Sequence, residues 1–367
     1  MSAATGRTAH ESDPRRTAPE DDPRLPGRVY RRGRWSWRWR PRSVVVCAAL
    51  VALTCALGVV AMTQGTIELT AGEVLAALVG TGVVDQTAER VVLGIRLPRL
   101  VTGIFVGACL GMAGAIFQSI SRNALGSPDI IGLTAGSATG AIVQIVLFDG
   151  GPLAVAAWAV GGGLVCSAAV YLLAMTRRSG GGYRLILVGI GVGAFLAAIN
   201  ALLLTRVGLD QALEAEIWLQ GSLAGRRWEH ALPVLIAFVL LAPPAAAASR
   251  RLDLLELGDD TATQLGVRVE RSRLALIVIG VGLTALATAA AGPIAFVALA
   301  APQLVRRLNR APGAPLLSGA VMGSALLVGA DLASRHLPFA WSVPVGLATG
   351  VLGGVYLLWL LGTTRKV

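Results

Sequence analysis

The sequence predicts an all-α polytopic membrane protein with about ten transmembrane helices. Three observations carry that prediction: the composition, a series of apolar runs of spanning length, and an unequal distribution of basic residues between alternate loops. Apolar residues make up 54% of the 367 and charged residues only 14%, whereas a soluble domain is nearer a quarter charged. Mean hydropathy is +0.68. Glycine is abundant, at 45, and aromatic residues are 5%, which suits helices that approach closely in lipid better than a core filled by large rings.

A hydrocarbon core of roughly 30 Å takes roughly 20 helical residues per crossing. Candidate spans lie at 43–63, 97–118, 129–148, 153–175, 184–206, 231–249, 273–291, 293–308, 316–334 and 343–362. The eighth is short and opens on Gly292-Pro293.

Loop charge tests this count independently, because arginine and lysine accumulate in short cytoplasmic loops. With the amino terminus inside, the inner loops hold 14 basic residues: Arg122, Arg177, Arg178, Arg184, Arg250, Arg251, Arg268, Arg271, Arg273, Arg306, Arg307, Arg310, Arg365 and Lys366. The outer loops hold seven: Arg90, Arg96, Arg99, Arg206, Arg226, Arg227 and Arg335. Ten spans with both termini cytoplasmic is the consistent arrangement, in a multi-pass protein of the cytoplasmic membrane.

Residues 1–42 read as a disordered, basic cytoplasmic extension, 43–362 as the membrane domain and 363–367 as a cytoplasmic tail. The net charge of +11 could suggest nucleic acid, but seven arginines fall in residues 28–42, RVYRRGRWSWRWRPR, beside the first apolar run. Arginine with tryptophan there reads as a membrane-interface anchor in contact with lipid, not a nucleic-acid arm. The apolar run after Pro41 exceeds a signal-peptide core and no small-residue cleavage site follows it, so the first span is expected to be uncleaved. Cys47, Cys55, Cys109 and Cys166 lie inside apolar segments without metal or redox spacing and read as small packing residues.

The run from Arg96 to Gly136 is the most informative. A spanning helix with arginines at both ends passes through Asn123-Ala124-Leu125-Gly126-Ser127-Pro128-Asp129 into a second apolar stretch. Gly103, Gly107 and Gly111 lie four apart on its first helix, as do Gly189, Gly193 and Ala197, and Gly346, Gly350 and Gly354, elsewhere. Such rows let two backbones approach, or border a translocation path. Polar residues at depth are few: Gln118, Gln144, Asn200 and Asp331, of which Asp331 can pair with Arg335 one turn on. No acidic relay runs through the spans, which weighs against a proton-coupled pump.

Residues 249–273, SRRLDLLELGDDTATQLGVRVERSR, interrupt the apolar pattern. Leu252, Leu254, Leu255 and Leu257 make a brief apolar turn that Gly258 can end at positive φ; Asp259 or Asp260 can cap a following helix that ends near Leu265 and Gly266. The segment predicts two short helices, whose leucines dock on the protein's own inner face or on a second protein.

The chain resembles the FecCD-type permeases, the BtuC-like membrane subunits of ABC type II importers for iron-siderophores, haem and cobalamin, from about residue 43 to 362. The resemblance rests on Arg96-Leu97-Pro98-Arg99, Gly114-Ala115-Ile116-Phe117-Gln118, Arg122-Asn123-Ala124-Leu125 and Ser127-Pro128-Asp129-Ile130-Ile131-Gly132. Further along it rests on Trp218-Leu219-Gln220-Gly221-Ser222-Leu223, Leu257-Gly258-Asp259 with Leu265-Gly266-Val267, Ala291-Gly292-Pro293-Ile294-Ala295-Phe296-Val297, and Pro344-Val345-Gly346. The chain departs from the family pattern at Ala124, where proline is usual, at Gln303, where histidine is usual, at Ser342 in place of glutamate, and at Val355 in place of proline.

The resemblance implies ten helices per subunit and two subunits around a central path. It implies two cytoplasmic ATPase subunits as partners, an extracytoplasmic binding protein that delivers substrate, and a second permease subunit, with a heterodimer favoured. It makes residues 252–266 the coupling helices seated in the ATPase. Arg96, Arg99 and Arg335 then match arginines that meet glutamates of the binding protein. Gly103, Gly107, Gly111 and Asn200 become candidates for path lining or close packing.

The expected function is translocation of a ferric siderophore, enterobactin-like among the choices, with haem or cobalamin as the alternative. The chain is not expected to be an enzyme or to carry a cofactor. A Walker A loop needs a lysine and Lys366 is the only one. A secondary transporter would be expected to show an acidic or histidine relay at midplane, for which only Asp331 is available. His10, His230 and His336 are the only histidines and lie outside the predicted spans, so they build no intramembrane metal site.

Overall fold

The computed structural model describes residues 28–32, 35–39, 41–80, 85–148, 150–175, 181–310, 313–336 and 343–363. Arg177, Arg178, Ser342, Arg365 and Lys366, used in the sequence reading, lie outside these, as does the segment 1–27.

Arg28–Arg32 (β1) and Trp35–Trp39 (β2) pair as an antiparallel hairpin with Arg28 opposite Trp39 and Arg32 opposite Trp35. The composition predicts an irregular extension here. The difference has a local cause: Trp35, Trp37 and Trp39 alternate with polar residues, and Val29 and Tyr30 are also strand formers.

The helical body runs through α1 (Pro41–Thr63), α2 (Ala71–Val79), α3 (Gln86–Val91), α4 (Leu97–Ser121), α5 (Leu133–Val143), α6 (Pro152–Met175), α7 (Gly181–Leu204) and α8 (Leu209–Leu219). It continues through α9 (Trp228–Ala247), α10 (Ser249–Glu256), α11 (Asp259–Gln264), α12 (Val269–Ala291), α13 (Val297–Asn309), α14 (Leu316–Arg335) and α15 (Val345–Thr363). π-Helical turns join α3 to α4 at Val92–Arg96 and extend α5 at Gln144–Phe148, and a 3-10 turn at Pro128–Ile131 precedes α5. A helix occupies each of the ten predicted spans, and among the described residues seven helices are long and apolar enough to cross a membrane.

The eighth span is the one that differs most from its sequence reading. α13 has 13 residues, which at 1.5 Å per residue is about 20 Å, short of a crossing. The chain reaches it through a non-helical segment bounded by Gly292 and Phe296, both at positive φ (76° and 67°).

α4 is the central helix. Of the apolar window in Gln86–Ser121, 78% is buried, against 6% for Leu187–Leu204 in α7. Pro98, which lacks an N–H, follows directly on the π-helical turn at Val92–Arg96. At the other end Arg122 takes a left-handed conformation (φ 50°) that closes the helix. Met112 and Ile116 of α4 are fully buried in one cluster with Leu252, Leu276, Leu283 and Leu327. Around α4 pack α9, α12, α13 and α14.

Candidate functional site

At the amino-terminal end of α4 the arginines have separate jobs. Arg96 is 9% exposed; its Nη1 donates to the Met62 carbonyl (2.5 Å) and its Nη2 to that of Ile67. Its guanidinium therefore clamps the chain leaving α1. The sequence shows only a cation at a helix end, and the two carbonyls that claim it are 34 and 29 residues away. Arg99 keeps a quarter of its side chain exposed, at 24%, and makes a two-point contact with Asp331 of α14, Nη2 to Oδ1 at 2.7 Å and Nε to Oδ2 at 3.2 Å. Arg335, one turn along α14 and also partly exposed, donates to the same carboxylate. Asp331 is thus paired as expected with Arg335, and also with Arg99.

Between its ends α4 closes on α14 and α13. A Cβ at Gly107 would come closer than 3.0 Å to the Gly323 carbonyl, one at Gly111 would do the same at Gly319, and one at Gly114 at Ala298. Gly103 is 3.2 Å by the same construction from a Leu223 methyl. At Gly107 and Gly111 the row is a close backbone contact with α14. Asn200 lies on α7, away from this row; its buried carbonyl oxygen has no partner among the described residues.

Three motifs distant in sequence meet at one backbone junction. Ser222 N–H donates to the Ala291 carbonyl (2.7 Å) and Gly346 N–H to the Gly221 carbonyl (3.1 Å). Gly221 (φ 63°) presses on the Pro293 carbonyl, where a side chain would not fit. Beside the junction a cavity of about 600 Å³ is lined by Asp129, Thr134, Gln220, Ile294, Gly346 and Gly350 among others. Nothing in the sequence pattern of these motifs shows that they meet.

At the carboxy-terminal end of α4, two short helices form as predicted, with Gly258 at φ 110° between them and Gly266 at φ 82° after the second. Their leucines divide. Leu252 and Leu255 are buried (0% and 3%) in the core around α4, whereas Leu257 and Leu265 are 61% and 57% exposed. One pair serves the fold and the other faces outward.

Asp259 and Asp260 occupy the first turn of α11, but neither caps it, and Gly258 is the cap residue. The Asp259 carboxylate instead accepts two bonds from Arg273 of α12 (2.8 and 2.9 Å) and lies 4.0 Å from Arg122. A charge-assisted pair outcompetes a neutral amide for the carboxylate.

Two further contacts went unread in the sequence. Ser119 Oγ donates to Glu256 Oε1 (2.5 Å), and Arg306 Nη2 of α13 donates to the same oxygen (2.9 Å) and to Ser119 Oγ (3.1 Å). Gln303 Nε2 donates to Gln118 Oε1 (2.6 Å) and to the Ala124 carbonyl (3.2 Å), while Gln118 Nε2 donates to the Leu299 carbonyl (3.0 Å). Gln118 as a polar group at depth was the one available signal. His230 is in the first turn of α9 and buried, and accepts from the Arg227 N–H. Among the described residues no group of acidic, histidine or cysteine side chains could hold a metal.

With this geometry in place, known proteins can be compared. The sequence profile of the FecCD transport family matches residues 52–363. The chain belongs to the FecCD transport family. It is 43% identical over 320 residues to the ferric enterobactin transport system permease protein FepG of Escherichia coli (strain K12), covering 87% of this chain and 96% of that one. It is 32% identical over 330 residues to the probable siderophore transport system permease protein YfhA of Bacillus subtilis (strain 168), covering 88% and 95%. A solved metal-chelate type ABC transporter in an inward-facing conformation superposes with a TM-score of 0.78 at 27% identity, over 87% of this chain and 99% of that one. The FecCD fold is thus seen in both sequence and backbone, and the motifs that carry the resemblance are those that meet at the two ends of α4 and at the junction.

Proposed function

We propose that this chain is the permease subunit of an ATP-driven importer that carries a ferric siderophore across the cytoplasmic membrane. The observation that carries the reading is α4: one buried helix tied at Arg99 to Asp331, which also holds the partly exposed Arg335, and at Ser119 to the short helix α10. A helix so anchored couples events on two sides of a membrane. The similarity to FepG along nearly its whole length supports the siderophore class.

In this reading both termini are cytoplasmic, which puts Arg99 and Arg335 on the outer face and α10–α11 on the inner. Arg99 and Arg335 meet carboxylates of a substrate-delivering protein, where exposed charge sets encounter rate and orientation more than affinity. Exposed Leu257 and Leu265 contact a cytoplasmic ATPase, which supplies the energy the chain lacks a P-loop to obtain. The exposed apolar flank of α7 faces lipid and a second, non-identical permease subunit, and the cavity beside Gln220 and Gly346 lies on the path. Disrupting this gene in its own host tests the reading: uptake of radiolabelled ferric enterobactin is lost and returns with the gene on a plasmid. Unchanged uptake of every ferric siderophore tried would remove it.

A further inference from the structure

We infer that Glu256 is the positioning residue through which a load on α10–α11 reaches the membrane helices. The inference rests on the reading of these helices as the ATPase contact and goes beyond it by naming the joint. α10 ends at Glu256, and the next residue, Leu257, is the first of the outward-facing apolar groups. Force on Leu257 therefore arrives one residue from a carboxylate that bridges Ser119 on α4 and Arg306 on α13. α4 carries much of the buried core, and α13 packs against it. The leucines on the buried face of α10 hold it in place without direction, whereas a shared charge-assisted bond fixes a direction.

The joint is built to re-pair. Glu256 and Arg306 retain 23% and 29% exposure, so the ion pair is neither fully solvated nor locked in the interior. Only Nη2 of Arg306 is engaged in bonds to this cluster, and its Nε is buried without a hydrogen-bond partner among the described residues. A carboxylate that moved toward Nε would gain a two-point contact. The same residues thus offer a second arrangement, with the Glu256 carboxylate displaced toward Arg306 Nε, and a leftover buried donor costs free energy in the first. Asp259 with Arg273, and Asp253, which accepts from the Ala314 N–H (2.7 Å), tether the rest of α10–α11, so displacement concentrates at Glu256.

The test uses the complete complex of this chain, its permease partner, ATPase and binding protein in proteoliposomes, with ferric enterobactin as the probe. In complexes that assemble and hydrolyse ATP, Glu256→Gln is expected to lower the siderophore moved per ATP. The exchange Glu256→Arg with Arg306→Glu is expected to recover part of that ratio, which a loss of folding would not allow. Ser119→Ala, a small change at a buried position, is expected to lower the ratio less. An assembled Glu256→Gln complex with the wild-type ratio overturns this inference alone, as does an unchanged ratio for Ser119→Ala should Glu256→Gln fail to assemble. A wild-type chain that does not bind the ATPase overturns both this inference and the reading beneath it.

Discussion

Arg99 on α4 grips Asp331 on α14 through two of its nitrogens, although the residues are 232 apart in sequence. Asp331 is 7% exposed as a side chain, and Arg335 shares its carboxylate. Two cations on one anion leave a net positive charge at partly exposed guanidinium groups, so the cluster fixes α4 against α14 and still presents charge outward. Removing the anion would leave two cations facing each other. Asp331→Asn is therefore expected to cost about 3 kcal/mol, in the range for breaking a buried pair, read as a lowered midpoint in detergent unfolding. Asp331→Leu combined with Arg99→Leu should recover most of the loss.

The arginines should separate by assay. Arg335→Glu is expected to slow association of the binding protein about tenfold at low salt, with dissociation little changed. Arg96→Ala should leave association alone and lower stability, because its guanidinium is spent on the Met62 and Ile67 carbonyls. Surface-capture kinetics on the purified complex distinguishes the two.

Close approach on α4 predicts a sharp contrast between glycines. Gly107→Ala drives a methyl into the Gly323 backbone, and overpacking of this kind costs about 3 kcal/mol. Gly350 has nothing within 4 Å of the same added atom, and Gly350→Ala should unfold with the wild type. Thermal midpoints of the two variants, side by side, measure the difference.

The helical body was legible because membrane helices announce themselves by length and hydropathy, and a helix stands at every predicted span. The short eighth helix escaped because the apolar run Pro293–Val297 is non-helical up to Phe296, a conformation that packing against the Gly221 loop imposes. The site was legible in part. Gly258 and Gly266 ended their helices as read. Asp259 did not cap because Arg273, 14 residues on, offers a stronger partner. A sequence does not display which carbonyls a guanidinium such as that of Arg96 will reach. Nor does it display the α14 backbone that Gly107 and Gly111 approach.

Acidification should loosen α2. Thr70 and Glu73 form a reciprocal cap, and bonds from the Thr70 N–H and hydroxyl hold the Glu73 carboxyl below its usual value. A depressed folded value means the contribution is complete above the unfolded pKa, roughly 4.3, and is lost as pH falls through the folded one. Hydrogen exchange at Val74–Ala77, corrected for intrinsic rate, should rise relative to α4 below about pH 4. Glu73→Gln should remove that pH dependence, whereas Thr70→Ala, which keeps the backbone N–H bond, should only reduce it.

The central claim is ATP-driven passage of a ferric siderophore through this chain. Its most direct test is uptake of 55Fe-labelled enterobactin into proteoliposomes that hold the chain with its permease partner and ATPase, with the binding protein outside and ATP inside. The account predicts accumulation that requires ATP and binding protein and is abolished by Gly107→Val, which wedges α4 from α14. Equal uptake without ATP, or none in a complex that assembles and hydrolyses ATP, would contradict it.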